Sequence, residues 1–170
     1  TSNSAASLAH PAVHYDFLRP GNAIYGLNPS SAVTLPPDFR RALAWKASLI
    51  SIKIFPPGHG ISYGHRYHTK GYERIGVIPV GYGDGYRRMP NNEVLIHGKR
   101  VPVVGSVCMD HSMIQLDSVP DAAIGDEVVL IGEQNDAIIT VDELAQKWHT
   151  INYEVVCGLA DRLPRVYFNG

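Results

Sequence analysis

The sequence predicts a mainly β domain of mixed or Greek-key type with few helices. Ile50, Ile52 and Ile54 alternate with Ser51 and Lys53, and this period of two is typical of a half-buried strand. Short apolar runs separated by turns then recur along the chain. Short strands spaced in this way favour a β domain built from hairpins and turns.

Five further strands are expected after this first one. They are Arg74–Val80, Glu93–Ile96, Val101–Val104, Ser112–Leu116 and Glu127–Ile131. The second and third flank His97-Gly98-Lys99, which is a candidate hairpin turn.

One helix is predicted near the end of the chain. Thr140 and Glu143 have the spacing of a capping box, in which each side chain satisfies a backbone N–H of the other. The next apolar residues fall on one helical face; they are Val141, Leu144, Ala145 and Trp148. A second short helical turn is expected within residues 152–159.

Residues 1 to about 40 have a different texture. They contain small polar residues and the turn sequences Arg19-Pro20-Gly21 and Pro36-Pro37, without a period of either kind. Alone, this segment is not expected to bury a core.

Composition excludes several classes of protein. A formal net charge of −1 over 170 residues argues against a general nucleic-acid binder. The apolar runs are too short to span a bilayer, and the first residues lack the pattern of a signal peptide. We therefore expect a cytoplasmic protein in which Cys108 and Cys157 are reduced, partly buried thiols.

The residues that could carry chemistry are ambiguous when taken singly. Nine tyrosines are present, several beside glycine, yet most tyrosines are packing residues. An unperturbed phenol has a pKa of about 10, so it acts as a base only where positive charge stabilises the phenolate. Cys108 fits a buried structural thiol better than a nucleophile, and His65 and His68 fit solvated side chains better than metal ligands. For Arg162 and Arg165, anion binding and a surface ion pair both stay open.

Six segments in order resemble alanine racemase, a pyridoxal-phosphate enzyme family. The segments are Asn3-Ser4-Ala5, residues 19–26 (RPGNAIYG), 60–64 (GISYG), 78–86 (IPVGYGDGY), 104–110 (VGSVCMD) and 150–155 (TINYEV). In that family a (β/α)8 barrel holds the cofactor and a Greek-key or barrel-like β domain follows it. The resemblance implies that residues 1–41 are the terminal segment of a truncated barrel and that residues 42–170 are the C-terminal β domain.

The same resemblance assigns roles in cofactor binding. Ser4 matches a serine at the cofactor phosphate, and Gly21 and Asn22 match backbone N–H donors to that phosphate. Arg19 matches an arginine facing the pyridine nitrogen, which stays unprotonated because arginine does not give up its proton. Tyr153 matches a tyrosine hydrogen-bonded to the phosphate.

Tyr63 matches the catalytic tyrosine, which in this family works in the active site of the partner subunit of a homodimer. It faces the substrate Cα opposite a lysine, and two opposed bases are what racemisation requires. Met109 matches a residue whose backbone N–H contacts the substrate carboxylate. Tyr82 and Arg88 match residues of the substrate entrance. The implied reaction is the interconversion of L- and D-alanine for peptidoglycan synthesis.

The chain departs from the family pattern at three places. Asn22 stands where an apolar residue is usual, and Ser106 stands where a basic entrance residue is often found. The lysine that holds the cofactor covalently has no match, because none of the chain's five lysines lies in a similar context. The chain alone is therefore expected to be inactive. Two alternatives are a module for association and a part of a serine or broad-specificity racemase.

Overall fold

A computed structural model describes residues 1–168. It divides into two units, residues 1–43 and residues 44 onward, which are described separately. In the first unit, β1 (Ser2–Asn3) pairs in parallel with β2 (Leu18–Arg19). Helix α1 (Ser4–Ala9) follows β1 directly, and Asn3 caps it by accepting a 2.9 Å hydrogen bond from the Ala6 N–H. This is the parallel pairing and helical crossover of an α/β unit.

The first unit has little apolar core of its own. Its buried apolar side chains are Ala23 and Leu27, and three polar residues are buried with them: Ser2, Ser4 and Asn22. This composition agrees with the expectation that the segment alone does not bury a core.

Within residues 44–168 the second unit contains ten strands and two α-helices. The strands are β3 (Trp45–Ser48), β4 (Ser51–Phe55), β5 (Gly60–Ile61), β6 (Tyr67–His68), β7 (Glu73–Ile78), β8 (Glu93–Ile96), β9 (Lys99–Val104), β10 (Ser112–Gln115), β11 (Glu127–Gln134) and β12 (Ala137–Ile139). The helices are α2 (Val141–Lys147) and α3 (Asn152–Cys157). The mainly β fold class is confirmed, and the predicted strands are confirmed with ends that shift by three residues or fewer. No helix within residues 1–168 has the length and apolar character needed to cross a membrane.

Eight of these strands form one antiparallel sheet that curls into a barrel-like shape. Its order is β12-β11-β8-β9-β10-β7-β4, and β3 pairs with β11 on the side opposite β8. Only Leu49 and Ile50 separate β3 from β4, although β3 pairs with β11 near one end of this order and β4 pairs with β7 at the other. The ends must therefore adjoin. Leu49 bonds to the turn before β11 at one side, and Ile50 donates to the Val77 carbonyl of β7 at the other.

The isoleucine alternation predicted β4 correctly but not its burial. Ile52 is partly buried, but Ile50 is 42% exposed and Ile54 is 64% exposed, so the prediction that this face is the buried one is wrong. Alternation predicts a two-faced strand but does not reveal which face meets the core. Phe55, from the opposite face of β4, instead packs against a small core of Ile61, Ile75 and Val104.

The helix α2 is attached to the sheet through aromatic side chains. Its predicted apolar face, which includes Trp148 at its end, is buried as expected. The fully buried Tyr86 ring makes edge-to-face contacts with Trp148 at 5.7 Å and with Trp45 at 5.8 Å between centroids. The Trp148 indole N–H donates to Asn92 Oδ1 at 2.8 Å, so its one polar atom is satisfied in the core.

The predicted capping box of α2 is only half present. Thr140 accepts a hydrogen bond from the Glu143 N–H, as expected. The Glu143 carboxylate, however, accepts two bonds from the Arg100 guanidinium, at 2.6 and 2.8 Å, and pairs with Lys147 at 3.0 Å. A bidentate charged partner from β9 is a stronger attraction than a neutral backbone N–H. The Arg100 bonds, opposed by partial burial and helped by Lys147, lower the pKa of Glu143 to about 2.

The Glu143 cluster predicts how stability depends on pH. A carboxyl whose pKa is lower in the folded than in the unfolded chain stabilises the fold above the unfolded pKa and loses that effect as pH falls. Glu143→Gln should lower the free energy of unfolding by about 1–2 kcal/mol at pH 7. The difference from the parent should shrink as pH falls from about 4.5 towards 2. Denaturant unfolding across this range measures it.

Glu127→Gln provides the control for this prediction. Its partner Lys46 lies 2.9 Å away, and both side chains are nearly half exposed. Exposed pairs of this kind contribute little to stability, so the variant should unfold like the parent. Equal losses in the two variants would contradict a special role for Glu143.

Candidate active site

Tyr63 lies in the loop that connects β5 to β6. These two short strands pair antiparallel, with Gly60 opposite His68 and Ile61 opposite Tyr67. The loop between them reverses direction, and the Tyr63 side chain is 75% exposed. Tyr63 therefore presents its phenol outward from a loop that is closed at its base by strand pairing.

Two other tyrosines are unsuited to proton transfer. Complete burial raises the pKa of Tyr86 far above its ordinary value. Burial, a 2.6 Å hydrogen bond to the Glu73 carboxylate and the charge of that carboxylate raise the pKa of Tyr67 to about 12. A higher pKa makes a phenol harder to deprotonate. Tyr67 and Tyr86 therefore have the packing role that composition favoured for any one tyrosine.

The segment that follows β9 lies against the Tyr63 loop. Gly105 makes this approach possible, because a Cβ at this position would lie 2.8 Å from the Ile61 carbonyl oxygen. Ser106 and Val107 are buried, Cys108 is partly buried, and Met109 and Asp110 are exposed. The chain thus passes from the Tyr63 loop to an exposed Met109 within a few residues.

A second loop, Gly81-Tyr82-Gly83-Asp84-Gly85, is bonded to the same segment. The Tyr82 N–H donates to the Cys108 carbonyl at 2.9 Å, and the Gly83 N–H donates to the Met109 carbonyl at 2.8 Å. Tyr82 and Met109 are each about half exposed. The structure therefore brings these two predicted site residues onto adjoining loops.

Arg162 ties these two loops together. Its Nε donates to Asp84 Oδ1 at 2.8 Å and its Nη2 donates to Asp110 Oδ1 at 2.7 Å. Asp84 is buried and also accepts from the Gly81 N–H at 2.9 Å. Of the two roles left open for Arg162, the geometry favours the ion pair, since two carboxylates already engage its guanidinium. Arg165 bonds instead to backbone carbonyls, including that of Leu159.

A cleft of about 660 Å³ opens beside Tyr82. Its walls include Tyr82, Arg88, Trp148 and Glu154. The Arg88 guanidinium lies 5.8 Å from the centre of the Tyr82 ring, a cation–π distance. The two predicted entrance residues are therefore in contact and line one cleft. Tyr153 is half-buried on α3.

The remaining predicted residues belong to the first unit. The Gly21 N–H donates to Ser4 Oγ at 2.7 Å, which joins the end of β1 to the end of β2. Because β1 and β2 are parallel, the residues that follow them meet at the same edge. Asn22 is buried next in sequence, and Arg19 is exposed with its Nε donating to Thr1 Oγ1 at 3.1 Å.

The remaining candidates are two cysteines and two histidines. Cys108 and Cys157 are free thiols; Cys157, at the end of α3, is exposed rather than partly buried as expected. The rings of His65 and His68 meet edge to face at 6.2 Å. Among residues 1–168, no three metal-binding side chains form a group that could hold an ion.

The close contact at Gly81 makes a sharp prediction about stability. A Cβ there would lie 2.2 Å from the Cys108 carbonyl oxygen and 2.3 Å from that of Met109. Because both are backbone atoms, Gly81→Ala should separate the two loops and destabilise the fold by about 2–3 kcal/mol. Gly71→Ala is the control, since nothing lies within 4 Å of its Cβ position. Equal unfolding midpoints for both variants would contradict the close packing.

Comparison with known proteins shows the family to which the chain belongs. A family model described as "Alanine racemase, C-terminal domain" matches residues 42–167. The alanine racemase of Halothermothrix orenii is 46% identical over 99% of this chain, and that of Methanococcus maripaludis is 42% identical over 99%. A crystal structure of alanine racemase from Bacillus anthracis with bound L-Ala-P has a TM-score of 0.94 and 41% identity over 99% of the chain.

The chain spans less than half the length of these proteins: 45% and 46% of the two sequences and 44% of the crystallised chain. The family model nevertheless covers most of the chain, and the structural match extends over nearly all of it. The chain therefore belongs to the alanine racemase C-terminal domain family.

Proposed function

We propose that this chain is the part of an alanine racemase that carries one of two catalytic bases, Tyr63. In this proposal the protein is a homodimer, and Tyr63 serves the active site of the partner subunit. The observation that carries the proposal is an outward-facing phenol, 75% exposed, on a loop whose base is bonded to neighbouring segments. Such a group is free to meet a substrate held by another chain.

The proposed reaction interconverts L- and D-alanine in the cytoplasm, for peptidoglycan synthesis. Racemisation needs one group to remove the Cα proton and another to return a proton on the opposite face. The Tyr63 hydroxyl holds or takes the proton on one face. A lysine in the part of the relatives that this chain does not match acts on the other. The similar proteins are alanine racemases, which supports alanine rather than serine as the substrate.

Other residues of the second unit would hold the substrate. The Met109 N–H would orient the carboxylate of the substrate. Tyr82 and Arg88 would line the entrance and limit access of water and larger amino acids. Their placement supports these roles, because Tyr82 and Met109 lie on bonded loops and Arg88 packs on the Tyr82 ring.

The donor set of the first unit fits pyridoxal 5′-phosphate. The Ser4 hydroxyl accepts a hydrogen bond from the Gly21 N–H at 2.7 Å and can therefore donate its own hydrogen to a phosphate. The Gly21 N–H would transfer to the same phosphate, and the Asn22 N–H, next in the chain, would join it. Arg19 would hold the pyridine nitrogen unprotonated. For Tyr153, on α3 of the second unit, phosphate binding is proposed from the family resemblance alone. When bound, the cofactor supplies a ring that withdraws electrons from Cα.

The first test is the activity of this chain by itself. Without the cofactor-holding lysine, the 170-residue chain should racemise alanine in the presence of added pyridoxal 5′-phosphate no faster than the free cofactor does. The measurement is the conversion of L- to D-alanine on a chiral column. Turnover well above the free-cofactor rate would contradict the proposed division of the active site.

The second test uses a full-length chimera in which this chain replaces the matching part of the Bacillus anthracis enzyme. The chimera should racemise alanine in preference to serine. Tyr63→Phe should lower kcat about 10²- to 10⁴-fold, because the phenol moves a proton. Cofactor absorbance should be retained. The matched control is Tyr72→Phe, since Tyr72 is equally exposed at 78% and lies outside the site. Unchanged turnover in Tyr63→Phe, or loss of cofactor absorbance, would overturn the catalytic role.

A further inference from the structure

We propose that Ser62 and Ser106 form a serine clamp that fixes the position of Tyr63 in the active site. The clamp is the pair of hydrogen bonds that these two side chains make across the gap between the Tyr63 loop and the segment after β9. Both act as positioning residues through Tyr63 and do not touch the substrate. This inference rests on the proposed function of Tyr63.

The first observation is the backbone of Ser62. Its φ is +63° and its ψ is −178°, a region that is essentially restricted to glycine. A serine remains in such a conformation only where its surroundings hold it there. Backbone strain of this kind is concentrated next to functional groups, and here it lies immediately before Tyr63.

The second observation is what holds Ser62. Its hydroxyl donates to the Ser106 carbonyl at 2.6 Å, and it also lies 3.4 Å from the Cys108 thiol. The Ser106 hydroxyl in turn donates to the Tyr63 carbonyl at 3.2 Å. The two segments are thus joined by two hydrogen bonds in opposite directions, one from the Ser62 side chain to Ser106 and one from the Ser106 side chain to the Tyr63 backbone. Ser106 is 8% exposed, so little water competes for these bonds.

The third observation is the exposure of the Tyr63 side chain. At 75% exposure, its ring has little packing within its own chain to fix its direction. Its position therefore depends on where its backbone is held. Proton transfer requires placement to a fraction of an ångström, and a shift of about 1 Å can lower a rate about 10²-fold. Hydrogen bonds between the buried Ser106 and the Tyr63 loop would hold the Tyr63 backbone in place with this precision.

Two substitutions at Ser62 separate positioning from simple strain. Ser62→Ala removes the hydroxyl and keeps the strained conformation. Ser62→Gly also removes the hydroxyl but relieves the strain, because glycine adopts φ of +63° without steric cost. Ser106→Ala removes only the bond to the Tyr63 carbonyl. Ser118→Ala, at an exposed position in another loop, is the control.

The experiment measures kinetics and stability of these variants in the full-length chimera. We expect kcat to fall about tenfold in Ser62→Ala, Ser62→Gly and Ser106→Ala, with KM within about twofold of the parent. The unfolding midpoint of Ser62→Gly should equal or exceed that of Ser62→Ala. The α-deuterium isotope effect should rise for the enantiomer whose proton Tyr63 removes and should not rise for the other, for which Tyr63 only returns a proton. A merely structural role would not separate the enantiomers.

A fluorine probe tests the clamp independently of catalysis. In the chimera labelled with 3-fluorotyrosine, the ¹⁹F line missing from Tyr63→Phe identifies Tyr63. This line should shift or broaden in the three clamp variants and not in Ser118→Ala. An unchanged line, or parental kcat in Ser62→Gly, would overturn the clamp. A changed line with kcat unaffected even by Tyr63→Phe would instead overturn the proposed function and leave the clamp standing.

Discussion

The segment of residues 105–110 is the part of the second unit on which the site geometry depends. It emerges from β9 and leads into β10, two adjacent strands within the ladder, so the sheet holds both of its ends. Its Ser106 and Cys108 bond the Tyr63 loop, its Cys108 and Met109 carbonyls bond the 81–85 loop, and Asp110 receives Arg162. The Tyr63 loop, the 81–85 loop and the segment that carries Arg162 are distant in sequence, and each is bonded to residues 105–110.

Backbone groups, rather than side chains, join the 81–85 loop to residues 105–110. The bonds between the 81–85 loop and the segment run from N–H to carbonyl, and they need the bare Cα of Gly81. The functional side chains are consequently left free to point outward. The proposed completion of the site by a partner chain would have this requirement, because reactive groups must then be exposed before assembly and still be precisely placed.

The tyrosines illustrate how environment divides one residue type among different roles. Tyr86 is fully buried between two tryptophans and fixes α2 to the sheet. Tyr67 is bound to a buried carboxylate, which raises its pKa. Tyr63 alone combines high exposure with an anchored backbone among these three.

Local pattern predicted the elements whose environment repeats along the chain. Helix α2 was predicted because its apolar residues have a helical period, and the β8–β9 hairpin because two apolar runs flank a short turn. The burial of β4 was predicted wrongly, because alternation does not reveal which face of a strand meets the core. Glu143 was assigned to a cap because its partner, Arg100, lies 43 residues away.

The sequence by itself determined the mainly β class, α2 and, through ordered motifs, the resemblance to alanine racemase and the candidate Tyr63. Those features depend on local periods or on residues kept in fixed order. Only the tertiary structure decided that the sheet closes through Leu49 and Ile50, that Arg162 bridges Asp84 and Asp110, and that Ser62 takes a glycine-like conformation. Each of these depends on contacts between distant segments, and side-chain identity alone carries no record of such contacts.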